Sequence, residues 1–216
     1  MNENFNIALG LLCAYLAGSI PTSVWVGRIF YGIDIRTQGS GNAGATNTLR
    51  ILGWKAGVPV MVVDVLKGWF AVYLYHFFAP ETLNEQSLVI YKIALAAMAV
   101  IGHVFPVFAG FRGGKGIATL LGVGIALYPA AVLVVIGIFF LILLISGYVS
   151  LSSIIAAISF PLIVAFLFNP KSLPLLVLSV CVGLFIPVTH RKNIGRLLNG
   201  TELKFRIKKN NKREKK

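Results

Sequence analysis

The chain has 216 residues, 57% of them hydrophobic and only 12% charged, and its 20 Lys and Arg against 7 Asp and Glu give a net charge of +13. Mean hydropathy is +0.83. A soluble domain carries about 25% charged residues, so the composition excludes a disordered chain and an ordinary soluble enzyme and predicts an all-α, polytopic membrane protein.

Seven apolar segments follow in order: about 5–27, 58–79, 89–105, 117–128, 130–146, 152–168 and 173–189. Ahead of the first stands Glu3 and no Lys or Arg, so a basic signal-peptide region is missing and the segment should remain as a spanning helix. Between Lys115 and Lys171 lie 55 residues without a charge. As one helix that run would be roughly 80 Å long against about 30 Å of hydrocarbon, so it must fold back more than once. Tyr128-Pro129 and Asn169-Pro170 mark breaks, and Ser146-Gly147-Tyr148 with Ser150, Ser152 and Ser153 offers turn and capping chemistry. Segment 117–128 is short for a crossing and reads as a tilted or re-entrant helix. Cys13 and Cys181 both sit in apolar runs and offer no disulfide framework.

With seven crossings, one face receives Arg28, Arg36, Arg50, Lys55, Arg112, Lys115 and the eleven Lys and Arg from Arg191 onward, 17 of the 20. The other receives Glu3, Glu81, Glu85 and Lys171. The positive-inside rule then predicts an outside N-terminus and a cytoplasmic C-terminus. Residues 1–203 read as one transmembrane domain. Residues 204–216 read as a basic cytoplasmic tail that fixes topology and can meet anionic headgroups, at about 1 kcal/mol per cation.

Three polar segments interrupt the apolar pattern, and the parity of seven crossings puts all three on one face. The first runs from Asp34 to Arg50. Its Gly39, Gly41 and Gly44 match G-x-G-x-x-G with Asp64 downstream, but no strand precedes them and Asp64 lies in the next apolar segment, so a dinucleotide site is rejected. A flexible connector is the plainer reading. Against it, Ser40, Asn42, Thr46 and Asn47, flanked by Arg36 and Arg50, form a dense set of donors among glycines, which suits a phosphate-binding loop at the membrane surface.

The second segment joins Gly102-His103-Val-Phe-Pro106 to Phe111-Arg-Gly-Gly-Lys-Gly116. Lys115 lies among Gly113, Gly114 and Gly116 at a helix mouth, a favourable place for an anion. Ala109 and Gly116 occupy positions where a Walker A loop needs Gly and Ser or Thr, so no nucleotide is inferred. His103 could be a base, though a lone His at a helix end is more often a hydrogen-bonded structural residue.

The third segment is His190-Arg-Lys-Asn193-Ile-Gly-Arg196-Leu-Leu-Asn-Gly-Thr-Glu202. If the last helix continues past the membrane surface, His190 and Asn193 share a face, and Asn199-Gly200 stops it. A topology anchor alone would need only Lys and Arg. Asp64 and Lys67, at i,i+3 within an apolar segment, should pair, either bracing the first loop or acting in the chemistry.

Together the motifs GSGNAGATN, GHVFP…GGKG and HRKNIGRLLNGTE, within a stretch from Gly18-Ser-Ile-Pro-Thr22 to Gly200-Thr-Glu202, resemble the PlsY family. These are bacterial membrane acyltransferases that use acyl phosphate to acylate the 1-hydroxyl of glycerol 3-phosphate, giving lysophosphatidate and phosphate, the first acylation step of phospholipid synthesis. The resemblance implies that Ser40, Asn42, Thr46, Asn47 and Arg50 hold phosphate groups, aided by Gly39, Gly41, Gly113, Gly114 and Gly116. It implies that Lys115, His190 and Asn193 bind glycerol 3-phosphate or complete the site, with Glu202 supporting them and Asp64, Lys67 and His103 as structural support. It places the protein in the bacterial inner membrane, with the site toward the cytoplasm. Lipid, not nucleic acid, is then the macromolecular partner, and a monomer is compatible with the sequence.

An acyl phosphate is already activated, so the catalyst needs positioning and charge stabilisation more than a nucleophile. The chain has no H-x-x-x-x-D pair, and only Asp34 and Asp64 are available for a Ser-His-Asp triad. No cluster has metal-ligand spacing, so neither metal nor cofactor is expected. The proton acceptor is expected to be the donor's own phosphate, with His190 as second choice. The alternative is a transporter of an organic phosphate, which should show midplane charges and paired halves.

Overall fold

A computed structural model describes residues 2–167 and 172–205. Asn169-Pro170, Lys171 and the basic run from residue 206 lie outside those residues. The first apolar segment is not one straight span. It divides into α1 (Glu3–Gly18) and α2 (Thr22–Tyr31), bent by 41°. Pro21 has no N–H to donate and disfavours helical backbone at Ile20. The freed Ile20 carbonyl accepts from Lys67 Nζ at 2.8 Å, and Lys67 in turn pairs with Asp64 at 2.8 Å. The buried Asp64–Lys67 pair therefore braces the α1–α2 break, not the glycine loop.

The glycine-rich segment leads into α3 (Ala45–Leu52), which turns at Gly53 into α4 (Trp54–Tyr73), followed by the single turn α5 (Tyr75–Phe78). Next come α6 (Glu85–Val104), α7 (Ile117–Leu127), α8 (Pro129–Ser146), α9 (Val149–Leu167), α10 (Leu173–Thr189) and α11 (Arg191–Leu198). All seven apolar segments are helical, and no strand occurs among the described residues. Pro129 starts α8, as its restricted φ favours. Ser150, Ser152 and Ser153 lie inside α9 and do not cap it; Ser152 and Ser153 donate back to the Tyr148 and Val149 carbonyls at 2.8 and 2.9 Å.

Among the described residues four stretches are long and apolar enough to cross a bilayer, or six if α1–α2 and the α10–α11 pair, bent by 59°, each count as one. With its 11 residues, α7 extends roughly 16 Å, half a hydrocarbon core. Helix α8 is apolar all round and turns much of its surface outward, with Leu133 71% and Leu144 83% exposed, as a lipid-facing helix would.

Helices α4 and α7 approach closely because both supply glycine. A Cβ on Gly68 would lie 2.0 Å from the Thr119 carbonyl oxygen, and one on Gly122 1.9 Å from that of Val65. Small residues allow this contact where lipid offers no hydrophobic drive for helix association. Beside this pair, α8, α9 and α10 pack in sequence and leave a cavity between themselves and α7. The polar segments gather at one end of the bundle, while Glu3 and Thr82 meet at the other through a 3.1 Å hydrogen bond.

Candidate active site

The first polar segment is held rigidly. Asp34 accepts from Arg36 and Arg28, and the Arg36 hydrogen bond keeps its carboxyl well below the usual carboxylate range. Arg36 also donates to the Ala109 and Arg112 carbonyls at 2.8 and 3.2 Å, tying the first segment to the second. Its guanidinium is thus engaged in the scaffold and does not join a phosphate shell. Asn47 is 1% exposed and works likewise: its Nδ2 donates to the Ile35 and Gln38 carbonyls, and its Oδ1 accepts the Ser40 N–H, all at 3.0 Å. Both amide donors are occupied, so Asn47 shapes the loop and has no donor left for a phosphate.

The glycines divide between lining and support. Gly39 and Gly41 take positive φ, +57° and +72°, and lie behind the cavity wall. Gly113 and Gly114 spend their N–H groups on the Val104 and His103 carbonyls, and a Cβ on Gly114 would meet His103 Nε2 at 2.4 Å. These four set the backbone path and do not contact the cavity. Gly44 and Gly116 do line it, as the N-caps of α3 and α7. Neither helix has a side-chain cap, so first-turn N–H groups remain available to an anion.

Around this floor stand Ser40, Asn42, Thr46, Arg50, Lys115, His190 and Asn193, all lining one cavity. Arg50 is half-buried and has no hydrogen-bond or ion-pair partner among the described residues. Lys115 Nζ donates to Asn193 Oδ1. Burial pushes its pKa down to about 8, with Arg196 and Arg50 adding to the fall and Glu202 opposing it. The His190 ring places Nδ1 2.9 Å from the Ile186 carbonyl, which can only accept, so the neutral ring carries its proton on Nδ1 and offers Nε2 as acceptor. His103 and Asp64 also line the cavity; His103 Nδ1 is buried 3.8 Å from Asp64 Oδ1 without a hydrogen bond, while its carbonyl accepts from Gly114 and its ring packs against that glycine of the Lys115 loop.

Glu202 organises the far wall. Its Oε1 accepts from Asn193 Nδ2 at 2.6 Å and Ser150 Oγ at 2.7 Å, and its Oε2 from Arg196 Nε at 2.6 Å. Burial pushes the carboxyl up, but the bonds from Arg196, Asn193 and Ser150 outweigh it and hold the pKa below the usual value. An ionised carboxylate repels phosphate, so Glu202 positions its neighbours. Ser150 reads from sequence as a capping residue; its i,i+3 spacing to Ser153, also in the cavity wall, is the signal that both share an inward face. Just past residue 203, the Phe205 N–H donates to the Gly147 carbonyl at 2.7 Å, so the start of the tail touches the turn after α8.

Past this polar mouth the cavity, about 480 Å³, continues between α7, α8, α9 and α10 with apolar walls and ends at Tyr128 and Phe160. Membrane-length helices enclosing a cationic pocket that opens into an apolar bore define a membrane protein built to handle an anionic amphiphile.

The profile of the glycerol-3-phosphate acyltransferase family matches residues 8–200. A glycerol-3-phosphate acyltransferase of Chlorobium phaeobacteroides is 44% identical over 227 residues, covering 91% of this chain and 95% of that protein. One of Chlorobaculum tepidum is also 44% identical, with 89% and 93% covered. The crystal structure of PlsY, an integral membrane glycerol 3-phosphate acyltransferase, in its glycerol 3-phosphate form superposes with a TM-score of 0.80 at 37% identity, over 93% of this chain and 96% of that one. Its lysophosphatidic acid form gives 0.76 at 39% identity over the same shares. The chain belongs to the glycerol-3-phosphate acyltransferase family.

Proposed function

We propose that this protein transfers an acyl group from acyl phosphate to the 1-hydroxyl of glycerol 3-phosphate, giving lysophosphatidate and phosphate without an acyl-enzyme. The observation that carries this reading is the single cavity in which a cationic, donor-rich mouth runs into an apolar bore. Two phosphates fit the mouth, at Arg50, Lys115 and the first turns of α3 and α7; the acyl chain fits the bore. Holding both reactants there supplies the positional advantage that an activated donor needs.

The attacking hydroxyl directs its proton toward an oxygen of the donor's own phosphate, with His190 Nε2 as the second-choice acceptor, and lies beside the carbonyl carbon. The new C–O bond forms as the bond to the bridging phosphate oxygen breaks, and the departing phosphate takes the hydroxyl proton. Arg50 and Lys115 stabilise the charge that gathers on the leaving group. Ser40 is hydrogen-bonded to no base among the described residues, which disfavours it as a nucleophile; its hydroxyl is one more donor to phosphate. The enzyme sits in a bacterial inner membrane with about seven transmembrane helices, α7 the short one, residues 1–203 forming the domain, an outside N-terminus and the site toward the cytoplasm.

Purified protein supplied with acyl phosphate and glycerol 3-phosphate should form lysophosphatidate, and acyl-CoA should not replace the donor. No product from acyl phosphate would sink the reading. Labelled acyl phosphate incubated without acceptor should leave the protein unmodified; a stoichiometric acyl-protein that then transfers at the catalytic rate would replace direct transfer with a covalent route. Cysteines at the exposed Thr37, Arg112 and Asn199 should be labelled only from the cytoplasmic side.

A further inference from the structure

The bore has a definite end. On α9 its wall is made of small side chains, Ser153, Ala156 and Ala157, and the last α9 residue that lines it is the large Phe160. Phe160 meets Tyr128 edge to face, with ring centroids 5.1 Å apart and planes at 82°. The Tyr128 hydroxyl is anchored on the Leu175 carbonyl of α10. Both rings are buried, and Ile163 and Val164 belong to the same packed cluster.

Three helices give the depth independently. Phe160 lies ten residues beyond Ser150, Tyr128 twelve beyond Gly116, and the wall residue Leu178 twelve before His190. At about 1.5 Å per residue, all three place the floor roughly 15–18 Å from the mouth. That is near the middle of the hydrocarbon layer, with the packed cluster closing the way onward.

We infer that the Tyr128–Phe160 pair is the gauge of acyl-chain length in this enzyme. The inference rests on the acyl-transfer reading above. A chain that stops short leaves apolar wall unfilled and forfeits burial. A chain that is too long must displace rings held by an aromatic contact, a hydrogen bond and close packing, which interiors resist. Phe160 is the stop itself, and Tyr128 holds it by bridging the end of α7 to α10.

The measurement is the ratio of kcat/KM for stearoyl phosphate to that for lauroyl phosphate, taken within each variant so that the folded fraction cancels. Phe160→Ala should raise the ratio by about fourfold for each further methylene accommodated. Ala157→Leu, which narrows the bore one turn nearer the mouth, should lower it at least tenfold. Tyr128→Phe, which keeps the ring but loses its hydrogen bond to the Leu175 carbonyl, should also raise the ratio. Ratios within twofold of wild type in both Phe160→Ala and Ala157→Leu would overturn the gauge. Lysophosphatidates of the same chain lengths provide a second readout through the rise in unfolding temperature on binding. If the wild type turned over no acyl phosphate, the donor assignment would fall, while an unchanged length preference in binding is what would remove the gauge.

Discussion

Replacing Glu202 by Gln tests the idea that the mouth is held together by one carboxylate. The carboxylate accepts three hydrogen bonds, from Asn193, Ser150 and Arg196. A glutamine offers one oxygen and one NH2. If the oxygen faces Asn193 and Ser150, the NH2 points at the Arg196 Nε–H, donor against donor; the reversed amide confronts Asn193 instead. At least one charge-assisted bond is lost, worth about 1.5–3 kcal/mol, or roughly a 10- to 150-fold fall in kcat/KM if the transition state needs Asn193 and Lys115 in place. The Arg196 contribution is at the lower end because that side chain is 33% exposed. The discriminating assay is a double-mutant cycle with Asn193→Ala. Since Glu202 acts through Asn193, the double variant should be little worse than Asn193→Ala alone. Full additivity, or a Glu202→Gln activity within twofold of wild type, would refute the reasoning.

Burial pushes the Lys115 pKa down to about 8, which gives a pH prediction. If its ammonium holds substrate phosphate as proposed, kcat/KM should fall about tenfold per unit above that pH; a profile flat to about pH 9.5 would exclude Lys115 from substrate binding, and Lys115→Arg should move the falling limb upward. Arg50, unpaired among the described residues, should cost about 10- to 100-fold in kcat/KM when changed to Ala. Arg50→Lys should also be impaired if the guanidinium grips phosphate through two N–H groups, and full activity of the Lys variant would rule out that fork. Gly68→Ala and Gly122→Ala should each lower the unfolding temperature, reflecting about 1–3 kcal/mol of overpacking at the α4–α7 contact, and an unchanged temperature would show that the contact can open freely.

The chemistry of the site was more legible in the sequence than its architecture. Ser40, Arg50, Lys115, His190 and Asn193 announce themselves because polar side chains are costly in so apolar a chain and need a reason to be there. What could not be read was the division of labour among them. Asn47 and Arg36 look like phosphate donors until their long-range carbonyl partners are known, and those partners follow from loop packing, not spacing. Gly113 and Gly114 similarly look like an anion cradle, yet their N–H groups close a turn against α6. The broken first span was signalled by Pro21, but its apolar run hides the break because hydropathy does not register a lost hydrogen bond. Ser150 escaped because a serine near a turn usually caps, and its partner lies 52 positions away.

The order in which the mouth is assembled follows from where its parts lie along the chain. Lys115 leaves the ribosome 87 residues before Glu202, which at about 5–20 residues per second is a gap of roughly 4–17 s. During that interval the first two polar segments can settle in the bilayer, but Lys115 lacks Asn193 and Ser150 lacks Glu202. Because Asn193 and Glu202 supply the hydrogen bonds that join Lys115, Ser150 and Arg196, the candidate mouth takes its final form only once the last membrane helix is in place.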